Sequence, residues 1–197
     1  IPPHQYQIVI NGSTRGRGDI ELGKFLAINP GSVLETVSGT QTKEPAFGLE
    51  AVWIEAKDKE YAQAVGYTVV DTSTVVATHL NNVLRNNAEE ILTYQITEDL
   101  VGRMEETSPK LVEELIPDSL SMSTVLKVLQ NLLSEGVPIK DMRTILETLS
   151  DAAPYTKAPE ALTSYVRTRL GRLIVQQLCD PLNTLEVITL EPNLEQI

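Results

Sequence analysis

The chain has 197 residues, 42% of them hydrophobic, and a formal net charge of -11 at pH 7. That length and apolar share suffice to bury a core, in one large domain or two to three small ones, while the acidic balance argues against nucleic acid, whose binding relies on lysines and arginines displacing counterions. One cysteine, Cys179, and two histidines, His4 and His79, exclude an internal disulfide and leave too few ligands for a zinc site of the usual kinds.

No apolar stretch approaches the roughly 18 consecutive residues that span a bilayer, and Ile1-Pro2-Pro3-His4 has no charged or apolar region of a secretory signal. The chain reads as a soluble piece, whatever its parent does. Residues 6–10 are β-rich and end in the turn signal Asn11-Gly12. The segment 12–18 (GSTRGRG) reads as a flexible basic loop. A second extended run, 25–28, stops at Asn29-Pro30-Gly31, and a third, 49–54, holds the single tryptophan, Trp53. Residues 56–65 have the look of a helix, with Gly66 placed for a C-terminal cap, and 67–70 of a fourth strand. Strands interleaved with a helix indicate an α/β or α+β unit.

From Asp71 the apolar period changes to three and four. Val76, Leu80, Val83, Leu84, Ala88 and Ile91 share one helical face, with Asp71, Thr72 or Ser73 able to cap it. Thr97 before Glu98 and Asp99 marks a second helix start, and Ser108-Pro109 a third. Further apolar faces run through Val125 to Leu133, Ile139 to Leu149, and Leu162 to Ile174, the last as one long helix. Short connections predict a compact helical array. Residues 185–190 read as a strand, the opening of a further domain.

Little in this inventory is catalytic. Gly16 and Gly18 belong to no G-x-x-x-x-G-K-[ST] or complete dinucleotide fingerprint. Arg17-Gly18-Asp19 is a chance tripeptide. His79 has no nucleophile-elbow motif to serve and reads as structural or partly exposed, and Cys179 as a small buried hydrophobe. The acid pairs Glu89-Glu90, Glu105-Glu106 and Glu113-Glu114 are adjacent on helices, so they do not face each other. Arg167, Arg169 and Arg172 are a solvated face or a contact to an acidic neighbour subunit. Phe47, between a proline turn and Gly48, is a local core plug or an exposed anchor, and composition alone favours the plug. Leu26, Ile28 and Pro30 alternate along the second strand and share a side. With Phe47, Val75 and Thr78 beside them they would enclose a shallow apolar pocket.

Six segments carry a family resemblance: 25–31 (FLAINPG), 44–55 (EPAFGLEAVWIE), 66–80 (GYTVVDTSTVVATHL), 127–135 (KVLQNLLSE), 138–149 (PIKDMRTILETL) and 162–173 (LTSYVRTRLGRL). Together they resemble the cytoplasmic region of FlhA-family proteins, the export-gate components of flagellar type III secretion. Related injectisome export-gate proteins share the helical part, and PAFGL favours the flagellar branch. The resemblance implies an α+β fold: a small α/β, ferredoxin-like subdomain (23–71) inserted in a partial first subdomain (1–22 and 72–92), a compact helical subdomain (93–173), and a truncated C-terminal strand opening a fourth (174–197).

The resemblance further implies a docking platform rather than an enzyme, with no cofactor and no metal. It is expected to be the cytoplasmic domain of a bacterial inner-membrane protein, attached to the membrane through an N-terminal part absent from this chain. Its partners would be flagellar export chaperones with their cargo, other export apparatus proteins, and copies of itself in a ring of nine. The chaperone site would be a hydrophobic dimple at Glu44, Phe47 and Thr78, with Leu26, Ile28, Pro30, Val70 and Val75 as walls. The resemblance thus reverses the composition reading of Phe47. Glu44 stands where the family often has aspartate, and Ile91-Leu92-Thr93-Tyr94-Gln95 stands where the family often reads like LLGRQE. The competing reading is an injectisome homologue acting mainly as a ring scaffold. A small α/β enzyme is a third, for which the sequence offers no polar, titratable set.

Overall fold

The computed structural model describes residues 2–179 and Thr184. The chain is α+β and divides into two units, 1–91 and 92–197. The expected strand at 185–190, and most of the segment 174–197 expected to open a fourth subdomain, lie outside the described residues. No helix among the described residues is long and apolar enough to cross a membrane.

The first unit begins with a hairpin of β1 (Gln5–Ile10) and β2 (Ser13–Asp19). Its two-residue turn puts Asn11 at φ 48° and Gly12 at φ 78°, the left-handed pair that matches the twist of paired strands. The segment expected to be a flexible loop is therefore strand β2. Its glycines are needed for close approach. A Cβ on Gly18 would lie 2.6 Å from the Tyr6 ring, and one on Gly16 would lie 2.9 Å from His79 Nε2.

Four more strands, β3 (Phe25–Ile28), β4 (Thr40–Lys43), β5 (Glu50–Ile54) and β6 (Thr68–Asp71), form an antiparallel sheet in the order β4-β5-β3-β6. Helix α1 (Lys59–Ala64) crosses from β5 to β6. This is the strand order of the ferredoxin-like split β-α-β. Its first crossover, residues 29–39, is a loop instead of a helix. Asn29-Pro30-Gly31 and Gly39 disfavour a helix there. The loop docks on the α1 side through Leu34 N–H to Val65 O, 2.9 Å, and Tyr61 OH to the Glu35 carboxylate, 2.5 Å.

Strand β5 is apolar over consecutive positions because both its faces are covered. Val52 and Ile54 pack with Ala27, Val37 and Ala62 beneath α1. Ala51 and Trp53 pack with Leu26 and Val75 on the opposite face. Val75 belongs to α2 (Thr72–Asn86), which is capped by Asp71 accepting from Thr74 N–H at 2.7 Å. That amide bond holds the Asp71 carboxyl below the ordinary carboxylate range. Further along, α2 turns Val83 onto Ile8 and Ile10 of the hairpin, and the short α3 (Ala88–Ile91) follows. One helix thus serves both the sheet and the hairpin.

Among its described residues the second unit is helical: α4 (Tyr94–Thr107), α5 (Pro109–Leu115), α6 (Met122–Ser134), α7 (Met142–Ala152), α8 (Pro159–Arg169) and α9 (Gly171–Leu178). Leu115, Leu129, Leu132, Ile145, Leu146, Leu149 and Leu162 are fully buried in its core. Three details differ from the expected pattern. Helix α4 starts earlier, at the cap Thr93, while Thr97 is buried within it and donates to Thr93 O at 2.9 Å. Ser108 precedes Pro109 as expected, but makes no capping bond; its hydroxyl accepts from Arg143 Nη2 at 2.9 Å. The long final helix is two, broken at Leu170, and α9 runs across the expected boundary at 173.

Candidate docking site around Phe47

The site is built on the face of the sheet that α2 covers. Side chains alternate across a strand, so Leu26 and Ile28 both point to this face. Leu26 is opposite Trp53 on β5 and Val70 on β6. Between β4 and β5 the chain makes a tight turn, residues 44–48, which lifts Phe47 to the surface.

The turn is held from within. Gly48 N–H donates to Glu44 O at 2.9 Å, and Glu44 N–H to Leu49 O at 2.8 Å. The Glu44 carboxylate folds back to accept from Ala46 N–H at 2.8 Å and Phe47 N–H at 2.7 Å. Glu44 is only 3% exposed, so these bonds satisfy a charge that would otherwise be costly to bury. Gly48, at φ 73°, supplies the left-handed residue that returns the chain to β5. At the top, Phe47 is 67% exposed. The length of the Glu44 side chain is used inside the turn, to orient Phe47.

A depression of about 80 Å³ opens beneath Phe47, lined by Ile28, Glu44, Leu49, Val70, Val75 and Thr78. Of the eight residues expected at the site, six meet here. Leu26 lies fully buried under the floor, and Pro30 is exposed past the end of β3, away from the lining. Leu49 joins the lining, and its apolar character next to Gly48 was the available signal. Asn82 was also missed. Its Nδ2 donates to Ala46 O at 2.6 Å, tying the turn to α2. Its signal is spacing, because Val75, Thr78 and Asn82 follow one stripe at three and four residues.

A depression this small does not suit a drug-sized ligand, which needs a pocket of about 300–1,000 Å³. It suits one or two apolar side chains from a partner. A larger cleft, about 910 Å³, runs along α7 to α9 in the second unit and includes Tyr155, Tyr165, Arg169 and Arg172. It is a broad surface feature without a converging set of buried polar groups. Arg167, on the same helix as Arg169, is engaged with Glu135 at 3.0 Å. Among the described residues no group of three or more His, Cys, Asp or Glu is placed to hold a metal ion.

Behind the site, Tyr6 OH and His79 Nδ1 share a hydrogen bond of 2.7 Å, with the two rings edge to face. Burial pushes the His79 pKa below its ordinary 6.5, opposed by the Glu44 charge. Burial, then the charges of Glu44 and Asp19, push the Tyr6 phenol from 10.0 up to about 12. Both groups are therefore favoured neutral in the folded state. For His79 the folded pKa is depressed, so its contribution to stability is complete above pH 6.5 and is lost as pH falls below it. For Tyr6 the folded pKa is raised, so its contribution is complete below pH 10 and is lost as pH rises towards 12. Thermal unfolding of the first unit against pH should show both losses. His79→Gln should flatten the acid-side loss between pH 6.5 and the carboxylate range, and Tyr6→Phe the alkaline one. Unchanged slopes in these variants would remove the pair from the pH response.

The model of the FHIPEP family matches residues 1–197. The chain is 48% identical over 197 residues to the flagellar biosynthesis protein FlhA of Escherichia coli, covering 100% of this chain and 28% of that protein. Among solved structures, it superposes on the Chlamydia pneumoniae CdsV protein with a TM-score of 0.81 at 25% identity, covering 100% of this chain and 56% of that one. The nonameric EPEC SctV-C structure gives a TM-score of 0.67 at 25% identity, covering 90% of this chain and 54% of that one. Matched along its whole length by the family model and by a relative of nearly half identity, the chain belongs to the FHIPEP family.

Proposed function

We propose that this chain is a cytoplasmic docking platform of a flagellar type III protein export gate, receiving export chaperones with their cargo at the Phe47 depression. The observation that carries this reading is an aromatic residue 67% exposed, above an apolar depression, on a turn braced by a buried carboxylate. Leaving an aromatic in water while ordering the turn that bears it is what a partner anchor requires. The depression fits apolar side chains of an amphipathic chaperone or cargo helix, in the helix-in-groove mode. Family membership and the identity to FlhA support the flagellar export role. The likeness to the nonameric EPEC SctV-C structure supports a contribution to a ring. Membrane attachment would belong to the remainder of a longer protein, since the chain spans 28% of the length of its Escherichia coli relative. The injectisome scaffold reading draws on the solved folds, but at 25% identity against 48% it has the weaker claim.

The test is titration calorimetry of the chain against a purified flagellin chaperone–cargo complex. Binding near micromolar, or about -8 kcal/mol, that depends on Phe47 is the expected result. No binding by the folded wild-type chain would reject Phe47 as a sufficient docking site and move the reading to the scaffold.

A further inference from the structure

The bonds inside the Phe47 turn fix its shape but not its place. Those made by the Glu44 carboxylate and by Gly48 N–H run from one turn residue to another. They would survive if the turn swung about its ends as a unit. The bond from Asn82 Nδ2 to Ala46 O, 2.6 Å, is different, because it ties the turn to a helix 36 residues further along the chain. Asn82 lies one turn beyond Thr78 and two beyond Val75 on α2, so the helix that forms one wall of the depression also holds the turn that forms the other. The orientation of the amide is set as well, since Asn82 Oδ1 accepts from Asn86 Nδ2 at 3.1 Å, leaving its N–H to face Ala46.

We infer that Asn82 is a positioning residue that sets the distance between Phe47 and the α2 wall, and so the size of the partner side chain admitted. This rests on the docking reading of the Phe47 depression. With the tie in place, Phe47 is pre-organised and a partner does not bear the entropy of ordering the turn. Without it, the turn keeps its internal form but samples wider and narrower openings.

The test is Asn82→Asp in the whole chain, with Asn82→Ser as a second variant. Aspartate is nearly isosteric and keeps the acceptor for Asn86, but has no N–H for Ala46 O. The sequence has two phenylalanines, so labelling with 4-fluorophenylalanine gives two resonances. Phe25 serves as the internal control, packed on the other face of the sheet with Lys59 Nζ 4.9 Å from its ring centre. In either variant the Phe47 resonance should shift and narrow while that of Phe25 stays in place. Affinity for the flagellin chaperone–cargo complex should fall about tenfold, and this loss should vanish in a Phe47→Ala background, as expected for two residues acting through one contact. An unchanged Phe47 resonance in a folded variant overturns the inference, even if Phe47→Ala lowers affinity. A narrowed resonance with unchanged affinity, where Phe47→Ala does lower affinity, overturns it too. If Phe47→Ala leaves affinity intact, the docking reading fails, and the role inferred for Asn82 in partner selection fails with it; the fluorine spectrum still decides whether Asn82 holds the turn.

Discussion

Phe47→Ala should lower affinity for a flagellin chaperone–cargo complex about 30-fold while leaving the thermal unfolding midpoint unchanged. The size follows from two routes. Burying one phenylalanine side chain on binding is worth about 1.5–3 kcal/mol, and truncating an aromatic anchor at the centre of an interface costs about 2 kcal/mol or more. Two kcal/mol is about 30-fold in affinity. The unchanged midpoint follows from exposure: a side chain that is 67% accessible leaves no core cavity when removed. The bond from residue 47 to Glu44 is made by a backbone amide, which alanine retains. Val75 provides the contrast. It lines the same depression but is 2% exposed and packs with Leu26, Ala51 and Trp53, so Val75→Ala would weaken folding and binding together. Calorimetry and thermal unfolding on the two variants separate an anchor from a wall. Equal affinity for wild type and Phe47→Ala would sink the site.

The parts of this fold that were legible in the sequence are those where burial writes a pattern. The strand expected at 25–28 is Phe25–Ile28, and the runs at 6–10, 49–54 and 67–70 match β1, β5 and β6 to within a residue at each end. Each has at least one face against a core. Strands β2 and β4 were missed because STRGRGD and TQTK present no alternation of apolar residues. They lie at sheet edges, where backbone pairing rather than side-chain burial holds them, and backbone pairing leaves no mark in composition. The α4 start was displaced for a related reason. Thr97 looked like a cap because acids follow it, but a threonine can satisfy its hydroxyl inside a helix on the carbonyl four residues back, as it does here.

The candidate site was legible in a different way. Composition favoured a buried Phe47, since apolar residues are more often inside. What exposes it is the fold of Glu44 onto its own turn and the left-handed Gly48, neither of which a hydrophobic pattern records. The resemblance supplied the residues, and the structure gathers six of the eight around one depression. Pro30 falls outside because β3 ends at Ile28, so strand alternation cannot be extended past Asn29. Asn82 was passed over because an asparagine on a partly exposed helix face has many bland explanations. Only the position of the Ala46 carbonyl makes it specific.

The geometry of β4 yields the second large expected effect, at Gly39. A Cβ on this residue would collide with the Trp53 carbonyl oxygen and lie 2.7 Å from Val52 Cγ1. The first obstacle is backbone in a strand paired on both sides, so it cannot rotate away as a side-chain tip does. Alanine at 39 must push β4 from β5 at the first pair of their register, Thr40 with Trp53. Overpacking of this kind costs about 1–3 kcal/mol, and a backbone obstacle places Gly39→Ala at the upper end. With roughly 4–8 °C per kcal/mol for a unit of this size, the midpoint of the first unit should fall by about 10 °C or more. Because β4 leads directly into residues 44–48, binding at Phe47 should weaken in the same variant, unlike in one that only trims an exposed side chain. Gly102→Ala sets the opposite sign. Its Cβ would meet nothing within 4 Å, inside α4, where replacing glycine by alanine should stabilise by about 1 kcal/mol. Thermal unfolding of the two variants side by side tests the packing directly. A Gly39→Ala chain as stable as wild type would mean that β4 is not seated against β5, and the turn bearing Phe47 would lose its support.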